Sequence, residues 1–123
     1  MNKTVVAIVI SGLLLPGLAM AETLSSILPV RTGSYAPAGG GCDAAAAAFI
    51  YIEDKGIGAN KTTGKVTSIN HDGAAFDLDV LWIEAGADEA DGDRDQVRIE
   101  VKDNSSFYFS NSASKRTLMR WCS

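Results

Sequence analysis

Three observations predict an all-β fold, a small antiparallel meander or barrel closed by one disulfide. Phe76, Leu78, Val80 and Trp82 alternate with Asp77, Asp79, Leu81 and Ile83, and Val97, Ile99 and Val101 alternate with Arg98, Glu100 and Lys102. Period-two alternation sends one set to a buried face and the other outward, so the two runs read as a hairpin with a long acidic tip. Shorter β-branched and aromatic runs recur along the chain between turn-forming residues, as in an up-and-down sheet. Cys42 and Cys122 are the only cysteines and can form only one intramolecular bridge, which ties the start of the folded part to its last strand. A small sheet that curls back on itself avoids open edges.

The chain begins with a short positive start, Met1-Asn2-Lys3-Thr4, and an apolar run from Val5 to Met20 broken by Gly12, Pro16 and Gly17. Ala19-Met20-Ala21 is a small-x-small cleavage pattern, so residues 1–21 read as a secretory signal peptide rather than a retained anchor. Glu22, not Cys, follows the expected cut, so no lipid anchor is expected and the mature chain is expected in the periplasm or outside the cell. That compartment suits a disulfide. Without Lys3, 10 basic residues face 15 acidic ones, a net charge of −5. A nucleic-acid or anionic-membrane partner would want clustered Lys and Arg instead.

Residues 22–41 carry Pro29, Pro37 and the run Gly39-Gly40-Gly41, and are expected to form an irregular leader in which Leu24 and Ile27 pack on the outside or stay mobile. A single β-domain is expected over 42–123. Asp43 before Ala44–Ala48 suggests a short N-capped helical turn, followed by a strand at Phe49-Ile50-Tyr51-Ile52. The rival is one helix from Asp43 to Lys55 capped by Gly56. Lys65–Ile69 reads as a strand and Asn70-His71-Asp72-Gly73 as a turn leading into the long hairpin. Asp103-Asn104-Ser105 turns again, Phe107-Tyr108-Phe109 is a short strand, and Arg116–Cys122 is the last one.

Few residues point to chemistry. Asp91, Asp93 and Asp95 have the spacing of the start of a calcium loop, but Gln96 stands where an EF-hand loop has Gly and Lys102 where it has Glu. Calcium is therefore the one cofactor the chain suggests, and the plainer reading is a solvated acidic tip. His71, the sole histidine, sits beside Asp72 with no Gly-x-Ser-x-Gly elbow anywhere to serve. Asp77 and Asp79 share a strand face at a separation suited to glycoside hydrolysis, yet Arg98 and Lys102 on the next strand read as their counter-charges. Leu81 and Ile83 are apolar on the outward face and need a cover, either the leader or Ala-rich segment of this chain or a partner. Tyr108 is expected to point outward near charge, as interface tyrosines do.

Compartment, size, single bridge and meander resemble the general build of small periplasmic binding and inhibitor proteins, among them the inhibitors of c-type lysozymes. The Ser-Gly-x-x-Tyr inhibitory loop of that group is absent from this chain, so no residue role carries over. The expected function is a non-catalytic exported domain that recognises a protein or small ligand. The alternatives are a calcium-stabilised structural envelope protein and a carboxylate-based glycan hydrolase.

Overall fold

The computed structural model describes residues 23–123, so the signal-peptide reading of 1–21 lies outside the described residues. Eight strands follow one another around a closed antiparallel barrel: β1 Gly33–Pro37, β2 Ile50–Ile52, β3 Ile57–Ala59, β4 Thr62–Asp72, β5 Ala75–Glu84, β6 Asp93–Asp103, β7 Ser106–Ser110 and β8 Thr117–Trp121. Each strand pairs with its neighbours in sequence, and β8 returns to β1 through Tyr35↔Trp121 and Pro37↔Met119. At eight strands a barrel interior is just wide enough for side chains to fill it. Among the described residues no helix is long and apolar enough to cross a membrane.

The central hairpin follows the alternation. Leu78 and Val80 on β5 pair with Val97 and Asp95 on β6, and Leu78, Val80, Val97 and Ile99 are buried. Phe76 and Trp82 extend the same face and pack against that core, and Phe107, Phe109 and Met119 close it from β7 and β8. Strand β4 is longer than the five residues expected. It runs through Asn70, His71 and Asp72, and the turn moves to Gly73-Ala74, with Gly73 at φ 64°. A bulge between Val66 and Ser68 shifts the register, so that Val66 and Ile69, three apart, both pair with inward residues, Val80 and Leu78.

The leader departs most from expectation. Its second half is β1, which carries the fully buried Tyr35, its ring centroid 4.7 Å from that of Phe107. Its first half doubles back through the Leu24↔Arg31 bridge and closes one end of the barrel with Leu28 and Val30, while Leu24 stays exposed. Ser25 organises this reversal: its hydroxyl accepts from the backbone N–H of Ile27 and Leu28 and donates to the carbonyl of Asp54, 3.1 Å away. Arg31 N–H donates to the Asn104 carbonyl at 2.8 Å. Turn residues that disfavour a regular element locally are here held by groups far away in sequence.

The Ala-rich segment forms no α-helix. Two single 3₁₀ turns, Gly41–Asp43 and Ala46–Ala48, are separated by extended Ala45, and Asp43 caps neither. A run so short, with exposed alanines and no apolar stripe to bury, gains too little to nucleate a helix. Strand β2 follows, as the first of the two expected readings had it. Cys42 and Cys122 form the predicted disulfide, joining the loop after β1 to the residue after β8.

Candidate functional site

Because the strands alternate in direction, the barrel has two unlike ends. The end with the leader, the β2–β3 loop and the β6–β7 turn is closed by Leu28 and Val30. At the other end, where β5 and β7 finish and β6 and β8 begin, a cavity of about 550 Å³ opens to solvent. Its apolar lining includes Phe49, Ile50, Trp82, Phe109 and Met119. Its charged residues are Glu84, Asp93 and Asp95, and none of the described residues lining it is a Lys, Arg or His.

The carboxylates reach the mouth through strand parity. Asp93 and Asp95 lie on the same face of β6 as Val97 and Ile99, so they continue the inward row beyond the core. Asp95 is half-buried and fully engaged. One oxygen accepts from Trp82 Nε1–H at 3.0 Å and from Asn111 Nδ2–H at 2.9 Å, and the other from the backbone N–H of Gln96 at 2.9 Å and of Ser112 at 3.4 Å. Burial alone would raise its pKa, but hydrogen bonds from Trp82, Ser112 and Asn111 outweigh that and hold the carboxyl below the usual range. Trp82 is thereby fixed across the mouth, and its ring lies over Gly64, where a Cβ would come within 2.9 Å of the indole Cζ3. Asp93 and Glu84 lie at the rim, and neither makes a side-chain hydrogen bond or ion pair among the described residues.

The remaining candidates fall elsewhere. Asp91 is exposed in the 3₁₀ turn Glu89–Asp91, away from the inward row, and among the described residues no three His, Cys, Asp or Glu side chains cluster closely enough to hold a metal ion. The three aspartates are therefore not brought together as a calcium loop would require. Asp77 and Asp79 do share the outer face of β5, and all four of their oxygens accept hydrogen bonds. Arg98 Nη1 donates to both oxygens of Asp77, at 3.0 and 2.9 Å, and Ser68 and Gln96 donate to those of Asp79. Gln96, not Lys102, is the cross-strand partner of Asp79. His71 is exposed and stacks on Phe76.

Leu81 is half-buried under the returning chain at Gly92, and Ile83 borders a shallow depression with Glu53, Asp54 and Lys55 of the β2–β3 loop. The cover seen on Leu81 is Gly92 in the hairpin's own connection. Tyr108 points outward under the Arg116 guanidinium, whose carbon lies 3.7 Å from the ring centroid, and Arg116 Nε also donates to Glu100 at 3.0 Å. On the outer wall a depression of about 630 Å³ runs over Asp79, Arg94 and Arg98 and meets the mouth at Asp95, Asn111 and Ser112. It is a polar surface with charges of both signs, whereas the mouth joins aromatic walls to charge of one sign.

Comparison with protein-family models, with curated proteins and with solved structures finds no match to this chain. The functional reading therefore rests on the site.

Proposed function

We propose that this chain is an exported, non-catalytic binding domain that takes a small ligand into the open end of its barrel. The observation that carries the reading is the mouth itself, a cavity of about 550 Å³ with aromatic and aliphatic walls. Its size falls within the range of small-molecule sites, and the mouth of a β-barrel is a frequent place for one. Export is supported by the cleavage pattern at Ala19-Met20-Ala21 and by the Cys42–Cys122 bridge, which an oxidising compartment maintains. The non-catalytic part is supported by the state of the carboxylates. Asp95 is held ionised by its donors, so it is a poor general acid near neutrality. Each oxygen of Asp77 and Asp79 accepts a hydrogen bond from Arg98, Ser68 or Gln96, which ties both side chains to the outer face of the sheet.

A small ligand is favoured over a protein partner because the apolar surface is concave rather than flat. The test uses Nile red, a neutral apolar dye whose emission rises on leaving water. The oxidised protein should bind it saturably with one dye per chain. Ala48→Trp, which places a bulky ring at the exposed rim of the mouth without touching the core, should abolish binding and leave the melting temperature unchanged. Binding that survives in Ala48→Trp, or no saturable binding at all, would overturn the proposal.

A further inference from the structure

From the composition of the same mouth we infer that its ligand is an organic cation, an ammonium or amidinium group carried on a compact apolar or aromatic body. This rests on the reading of the mouth as a ligand site and adds the charge of what fills it. The walls and the rim make different demands. Phe49, Trp82, Phe109 and Met119 supply apolar surface and ring faces, which suit a hydrocarbon or aromatic body and attract a cation held over them. Glu84, Asp93 and Asp95 supply negative charge, and no described lining residue balances it.

The three carboxylates divide the work. Asp95 is spent on Trp82, Asn111 and two backbone N–H groups, so it contributes a fixed field from half-buried ground rather than a direct contact. Asp93 and Glu84 have no such partners among the described residues, and their oxygens remain open to N–H donors from a ligand. Asp93 pairs with Trp82 across β5 and β6, and Glu84 lies two residues beyond Trp82 on β5. Trp82 and two open carboxylates therefore lie at adjoining register positions. An anionic ligand would meet repulsion from all three carboxylates, and a neutral one would leave the open pair unused. The field of half-buried Asp95 acts more strongly than it would in bulk water, and exposed Asp93 and Glu84 extend the same sign of charge to the rim.

The test compares three probes of nearly the same shape: benzamidinium, benzamide and benzoate. The readout is the pair of indole N–H resonances in a ¹H–¹⁵N spectrum of the full oxidised chain, which has two tryptophans. Trp82 lies at the mouth, while Trp121 donates to the Thr32 carbonyl beside the leader and serves as an internal control. Benzamidinium should shift the Trp82 resonance alone and bind about tenfold more tightly than benzamide, with benzoate weaker still. The Asp93→Asn, Glu84→Gln double variant should lose about tenfold in benzamidinium affinity and keep the benzamide affinity. Raising the salt to half molar should shrink the difference between the two probes.

Equal binding of all three probes, or an unchanged benzamidinium affinity in the double variant, would overturn the inference and leave the mouth as a ligand site. Failure of benzamidinium where Nile red binds would likewise remove the charge preference alone. Failure of both would remove the preference together with the site it rests on.

Discussion

Replacing Asp95 by Ala removes the acceptor of Trp82 Nε1–H and of Asn111 Nδ2–H in one step. Partly buried donors left without a partner cost about 1–3 kcal/mol, so Asp95→Ala should be destabilised by that amount at neutral pH. The sign of its pH dependence follows from the lowered pKa. A carboxyl held below its unfolded value, near 3.8, stabilises the fold above that value and loses the contribution as pH falls through the folded pKa. The gap between wild type and Asp95→Ala, measured by urea unfolding, should therefore narrow below pH 3.8. A gap that stays constant into acid would show that the carboxylate charge plays no part. The inward position of Asp93 and Asp95 was legible in the sequence, since both share parity with Val97 and Ile99. Their charge made them read as a solvated tip instead. The hydrogen-bond donors that make an inward carboxylate tolerable come from Trp82, Asn111 and Ser112, which no local pattern connects to it.

At the scale of elements, strands with one uniformly buried face were the most legible. Leu78 and Val80, Val97 and Ile99, and Phe107 and Phe109 all lie inward as period two requires. What the alternation could not supply was the bulge near Thr67, where an extra residue lets Val66 and Ile69 face the same way. Nor could it say what covers the outer apolar residues of β5. The cover of Leu81 is local: a Cβ at Gly92 would come within 2.9 Å of Leu81 Cγ and Cδ1, and within 3.0 Å of the Trp82 carbonyl. Gly92 has φ −73°, so its role is space rather than backbone freedom. Gly92→Ala should therefore overpack this contact and cost about 1–3 kcal/mol. Shortening the neighbour should relieve the strain, so Gly92→Ala combined with Leu81→Ala should cost less than the sum of the two single changes. Additive costs in this double-mutant cycle would mean that Leu81 is covered by something other than the hairpin's return.

For the whole molecule, the question is how the barrel is held shut, along the β1–β8 seam and at the end opposite the mouth. The disulfide ties together positions 80 residues apart, and in the chain-entropy model a loop of that size is worth about 4–5 kcal/mol as an upper figure. The leader provides the second closure. Leu28 and Val30 are 2% and 0% exposed, while Leu24 in the same segment is 46% exposed. The sequence points to Leu24 and Ile27 as the pair that packs on the outside or stays mobile, whereas Leu28 and Val30 are the ones the barrel buries. Which of them enters the barrel is decided by long-range bonds, Ser25 and Ser26 to Asp54 and Arg31 to Asn104, so the choice was not legible locally. The two leucines separate the possibilities. Leu28→Ala should cost about 2–5 kcal/mol, the usual range for emptying a fully buried leucine site. Leu24→Ala should change stability by no more than about 0.5 kcal/mol, as an exposed substitution does. Both are read from urea unfolding of the oxidised protein, where a single small domain is expected to unfold in one cooperative step. If Leu28→Ala were as mild as Leu24→Ala, the leader would be a loosely held appendage and the barrel would be stable with that end open. A large loss in Leu28→Ala alone establishes the segment as part of the core. Among the described residues it also leaves the opposite end as the one where the apolar lining of a cavity meets solvent, since that end is not filled by the described part of this chain.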